Sequence, residues 1–183
     1  MRTVSDREAY FQDHFPNFAV MPGVLTLEAM FQACSWLVRK TDELANPVVL
    51  LKEVANVKFA GLVRPGQTVT VSAAVKKQAG NLTTLAAKAE VDGTAVAGGR
   101  LVLERCRLAD LCPARAASDV PLRARMQEQL DLLQSQPVTP VVPSHFRWLW
   151  IDRLVEFVAG QRAVAVKTVS LTSEPIDCYM PGY

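Results

Sequence analysis

Residues 11–36 read FQDHFPNFAVMPGVLTLEAMFQACSW, and the fold turns on how this stretch is read. It opens on a loop that holds His14 between Asp13 and Phe15-Pro16. It then turns through Met21-Pro22-Gly23 and enters a segment poor in polar residues. Between Val24 and Val38 the exceptions are Thr26, Glu28, Gln32 and Ser35. Spaced by four and then three, Glu28, Gln32 and Ser35 form one stripe on a helix. The other positions are nearly all Val, Leu, Ala, Met, Phe, Cys or Trp, and a helix apolar nearly all round is expected to be buried. A carboxylate there is costly unless it has company. Because a histidine precedes it on the entry loop, a base and an acid are expected to converge at the start of one buried helix.

Working outward, the chain after this helix reads as a sheet. Residues 48–63 are β-rich, with a kink expected near Ala55-Asn56. Arg64-Pro65-Gly66-Gln67 is a turn. Residues 68–77 alternate Val69, Val71, Ala73 and Val75 against polar neighbours, the pattern of a half-buried strand. Gly80-Asn81 turns into a strand over 82–91. Asp92-Gly93 is a strong hairpin signal leading to a strand over 94–104. One long apolar helix followed by a meander of strands is an α+β pattern, a sheet wrapped around a helix.

The residues above also carry a likeness. His14-Phe15-Pro16, Met21-Pro22-Gly23 and Glu28, with fourteen positions from His14 to Glu28, resemble the signature of bacterial β-hydroxyacyl-acyl-carrier-protein dehydratases of the single-hotdog (FabZ-like) type. Gln32 fits the same pattern, and residues 57–71, VKFAGLVRPGQTVTV, resemble that family's strand, Pro-Gly turn and next strand. The likeness covers most of residues 1–106. Asn17 and Ala19 depart from it, where the family more often has Gly and Pro. The resemblance implies a hotdog fold and dehydration of (3R)-3-hydroxyacyl thioesters in fatty acid or related lipid or polyketide synthesis. His14 would be the base, and Glu28 the acid or the group that orients the hydroxyl. The Gly23 and Val24 amides would polarise the thioester carbonyl, and Gln32 would orient Glu28. No metal or other cofactor is implied. The implied partners are acyl carrier protein and a second copy, with the site formed across a homodimer and the acyl tunnel running along the helix. A hotdog thioesterase and a non-catalytic acyl-binding or dimerisation module are the competing readings.

Length and composition agree with one domain. The chain has 183 residues, half of them hydrophobic, and a net charge of +2, too mild to argue for nucleic acid. Cys34, Cys106, Cys112 and Cys178 make no CxxC pair and no zinc spacing. With no signal segment and no apolar run long enough to span a membrane, a cytoplasmic setting is expected.

Three segments are expected: a hotdog core over 1–106, a connector over 107–143, and strands over 144–183. In the connector, Asp119 is expected to cap a helix with Pro121 in its first turn and an apolar stripe of Leu122, Met126, Leu130 and Leu133. Pro137, Pro140 and Pro143 follow it. Residues 146–170 resemble the strands that open the same dehydratase family, and Asp152-Arg153 resembles its Asp-Arg pair. Residues 166–170, VKTVS, align with residues 1–5, MRTVS, and the same register sets Tyr179 on His14 and Pro181 on Pro16. Either the last strands complete the sheet in a permuted order, which leaves fewer open edges and is preferred, or they begin a truncated second copy.

Overall fold

The computed structural model describes residues 14, 18–134, 151 and 153–168. Expectations that fall on residues 1–5, Phe15, Pro16, Asn17, Pro137, Pro140, Pro143, 144–150, Asp152 and 169–183 lie outside them. The element order is α1 (Gly23–Thr41), β1 (Val48–Phe59), β2 (Thr68–Ala79), β3 (Leu82–Val91) and β4 (Thr94–Cys106). A one-turn helix α2 (Leu108–Leu111), a 3-10 helix (Pro113–Ser118), α3 (Asp119–Gln134), β5 (Arg153–Val158) and β6 (Arg162–Thr168) follow.

The six strands form one sheet in the order β1-β4-β3-β2-β6-β5, every neighbouring pair antiparallel. The turn chemistry sets the meander. Asp92 and Gly93 both take positive φ, 50° and 77°, as a two-residue hairpin turn requires. Gly66 at φ 87° follows Pro65 in a turn closed by Gln67 N donating to Arg64 O. The kink in β1 is present: Asn56 sits at φ 55°, and the pairing with β4 shifts between Ala55 and Lys58.

Alternation along β2 and β3 turns Val69, Val71 and Ala73, and Leu85, Ala87, Ala89 and Val91, onto one face. Met30, Ala33 and Leu37 of α1 join them in the core, with Leu101 and Leu103 of β4 and Ala163 and Ala165 of β6. β5 and β6 extend the sheet beyond β2, with Val71 paired to Ala165. At its far end their hairpin is fastened to the helix, since Gly160 N donates to Thr41 Oγ1 and Lys40 Nζ lies over the Phe157 ring.

Three expectations are corrected. α1 is not covered all round. Its second half is enclosed, but Val24 is 68% exposed, and Leu25, Leu27, Glu28, Phe31 and Gln32 are only half-buried. That end of the helix is therefore only partly enclosed. Second, Asp119 does not cap α3. Its carboxylate accepts from Leu108 N at 2.7 Å and Ala109 N at 3.2 Å, so it caps the preceding one-turn helix. Third, the connector, read as carrying one helix, also holds α2 and the 3-10 helix. Leu130 and Leu133 of α3 reach the core, with Met126 packed against it. Among the described residues no helix is long and apolar enough to cross a membrane.

Candidate active site

The start of α1 is held by two loops joined to each other. Val20 and Met21 are buried, and Met21 N donates to Val63 O at 2.8 Å. That bond ties the loop entering α1 to the loop leaving β1. Ala60 N and Gly61 N both donate to Val96 O, which fixes the second loop to β4. Pro22 occupies the N-cap, and no side chain caps the helix. The first turn of a helix has no carbonyls of its own to satisfy its N–H groups. The Gly23 and Val24 amides stand there, with no acidic residue in the turn to compete for them.

Gly23 is closely approached by what lies against it. A Cβ there would meet the Phe59 ring at 3.0–3.3 Å, so the bare Cα is what lets that ring close over the helix start. Phe59 nevertheless stays 53% exposed. With Phe18, Val24 and Leu62 it makes an open apolar margin around the helix N-terminus. Arg64 stacks on Phe18, its guanidinium carbon 4.9 Å from the ring centre.

His14 is anchored on the entry loop, Nδ1 lying 3.1 Å from Val20 O. A carbonyl only accepts, so Nδ1 must be the donor and Nε2 is the nitrogen able to take a proton. Further along, Gln32 Nε2 donates to Glu28 Oε1 at 2.8 Å across one turn of α1. The structure therefore joins Gln32 to Glu28 and sets Gly23 and Val24 one turn before them. His14 and Glu28 make no hydrogen bond or ion pair with each other within this chain.

Two features of this helix face were not legible beforehand. Ser35, placed on the polar stripe by its spacing, is buried with no partner for its hydroxyl. Arg39, eleven residues after Glu28 and about three turns along the helix, donates Nε to Pro47 O at 2.8 Å and stacks over Trp36. The available signal was the spacing, because 28, 32, 35 and 39 continue a single stripe. Cys34 is buried on the core side as a small hydrophobe, and burial pushes its thiol up to about 12.

Comparison with known proteins bears on this arrangement. The chain is 38% identical over 90 residues to the 3-hydroxyacyl-[acyl-carrier-protein] dehydratase FabZ of Lactiplantibacillus plantarum, covering 49% of this chain and 61% of that protein. It is 37% identical over 101 residues to the FabZ of Streptococcus uberis, covering 55% of this chain and 72% of that one. Among solved structures it is similar to the dehydratase heterocomplex ApeI:P from Xenorhabdus doucetiae. There the identity is 21%, the TM-score 0.48, and the coverage 62% of this chain and 77% of that one. A family model described as the FabA-like domain matches residues 1–100, which hold the entry loop, α1 and the meander into β4. With more than half of its length matched by that model, this chain belongs to the FabA-like family and carries the hotdog fold, an antiparallel sheet around α1.

Proposed function

We propose that the chain dehydrates (3R)-3-hydroxyacyl thioesters, presented on acyl carrier protein, to trans-2-enoyl thioesters in fatty acid or related lipid or polyketide biosynthesis. The observation that carries this reading is the Gln32–Glu28 hydrogen bond one turn inside an uncapped helix N-terminus. It presents an oriented carboxyl beside amides that have no acceptor from the helix. Family membership and the FabZ relatives agree with it.

His14 takes the α-proton on Nε2, its Nδ1 being committed to Val20 O. The electron pair released forms the Cα–Cβ double bond. The C3 hydroxyl leaves with a proton from Glu28, as water. The Gly23 and Val24 amides, with the helix dipole behind them, hold the charge that grows on the thioester carbonyl. Gln32 keeps the Glu28 carboxyl aimed. Solvent returns the proton from His14 and reprotonates Glu28.

The working unit is a homodimer in the cytoplasm, with His14 of one copy facing Glu28 of the other. The exposed apolar margin of Phe18, Val24, Phe59 and Leu62 beside a half-buried helix face supports this. Residues 1–106 are the core and 107–143 the connector, with 144–183 completing the sheet. The pairing of β6 with β2 supports that division.

Hydration of a trans-2-enoyl thioester, followed by loss of its conjugated absorbance, tests the reading. Turnover should fall by about a hundredfold or more in His14→Ala and in Glu28→Gln. A folded dimer that releases thiol without hydration would be a thioesterase. One that binds acyl thioester and transforms nothing would be a binding module.

A further inference from the structure

The helix face that carries Glu28 and Gln32 continues beyond them. At 100° per residue, Ser35 and Arg39 fall in the same narrow sector, while Leu37, in the core, points the opposite way from Glu28. Ser35 is 1% exposed, and its Oγ has no hydrogen-bond partner. One turn further on, Arg39 spends one donor, Nε, on Pro47 O. Its guanidinium carbon lies 5.1 Å from the centre of the Trp36 ring. No carboxylate among the described residues pairs with it. Asp42, the acid one turn on, is taken by Asn46 N and Nδ2 and by Arg105, 3.6 Å away. Burial pulls the Arg39 guanidinium down to about 10, as expected of a cation withdrawn from water without a counter-charge.

A half-buried guanidinium without a carboxylate among the described residues and an orphaned buried hydroxyl one turn away are both unfavourable arrangements in isolation. A single carboxylate would relieve both, accepting from the guanidinium fork and from Ser35 Oγ. The position of this pair says what could bring that carboxylate. With the thioester carbonyl at Gly23 and Val24 and C3 at Glu28, the acyl chain beyond C3 runs along this stripe. Ser35 lies seven residues past Glu28, about 10 Å along the axis, and the arginine side chain folds back toward the helix N-terminus. Phe31 and Trp36 flank the stripe and suit methylenes. Its far end does not suit a methyl.

We propose that Ser35 and Arg39 form a receptor for a carboxylate at the far end of the acyl chain, so that the preferred substrates are ω-carboxylated 3-hydroxyacyl thioesters. This rests on the dehydratase reading for the placement of the chain. The receptor itself rests on the unpartnered hydroxyl and the unpaired guanidinium.

The test uses pairs of trans-2-enoyl N-acetylcysteamine thioesters of matched length, one ending in methyl and the other in carboxylate, across a length series. Binding is measured by calorimetry and hydration by absorbance, in the parent, Ser35→Ala, Arg39→Met and Arg39→Lys. In the parent, one length should bind about tenfold or more tighter as the carboxylate. That ratio should fall severalfold in Ser35→Ala, vanish in Arg39→Met and recover in part in Arg39→Lys. If Arg39→Met does not fold, the ratio in Ser35→Ala decides. Equal or weaker binding of the carboxylates at every length overturns the receptor, and so does a ratio unmoved in Ser35→Ala and both Arg39 variants. If the methyl-ended series is still hydrated in that case, the dehydratase reading stands. Tight, Arg39-dependent binding of a carboxylate with no hydration of either series sinks the reaction and keeps the receptor.

Discussion

Replacing Gln32 with methionine removes its hydrogen bond to Glu28. The side chains match in length, so no sizeable cavity opens, and a half-buried methionine keeps the helix propensity of the site. What is lost is the 2.8 Å bond from Nε2 to Glu28 Oε1. A hydrogen bond is worth about 0.5–1.5 kcal/mol net, and both partners here are half-buried, so the stability change should be about 1 kcal/mol or less. The effect on rate has a different origin. If the bond aims the Glu28 carboxyl at the leaving hydroxyl, the transition state loses about 1.4–2.7 kcal/mol, a tenfold to hundredfold fall in kcat/KM. The assay is steady-state hydration of a trans-2-enoyl thioester, with thermal unfolding measured on the same samples. A fall in kcat with KM little changed supports an orienting role. Unchanged kcat/KM with a loss of several kcal/mol in stability would refute the reasoning, because the bond would then be a structural tie that Glu28 does not use in turnover.

Further outcomes follow from the geometry. Leu133→Ala, at a fully buried position of α3, should cost about 2–5 kcal/mol in a denaturant titration; a loss under 0.5 kcal/mol would mean that α3 does not seal the core. Cys112 is exposed and should react with iodoacetamide in the native protein. Cys34, buried with its thiol at about 12, should react only on unfolding, as peptide mass mapping would report. Hydrogen bonds from Lys52 and then Asn81 hold the Glu104 carboxyl below the usual range. Because its folded value is depressed, the stability it contributes is present above the unfolded pKa and is lost as pH falls through the folded one. A carbon-detected titration should show this depression shrink in Lys52→Met. An unchanged midpoint would refute the assignment.

Much of the fold was legible because its signals are local. The alternation of Val69, Val71 and Ala73, the Asp92-Gly93 turn and the kink at Asn56 depend on side-chain period and backbone sterics, which neighbouring residues suffice to set. The Glu28–Gln32 bond was legible for the same reason, since four residues along a helix fixes who meets whom. Asp119 was misplaced because a cap's choice between two helix ends is settled by chain folding. Its carboxylate reaches back eleven residues to Leu108 N rather than forward into its own helix.

α1, the strands and their turns, and the stripe on which Glu28, Gln32, Ser35 and Arg39 stand all follow from period and local sterics, which neighbouring residues set. Tertiary structure alone decided how much of α1 is covered and which polar groups are left without partners. Coverage comes from residues far apart in the chain. The sheet and the β5–β6 hairpin enclose one side and the far end of the helix, while the side bearing Glu28 stays open near its start. Whether Arg39 has a counter-charge likewise depended on where Asp42, Arg105 and Pro47 came to rest, and no spacing within the helix encodes that.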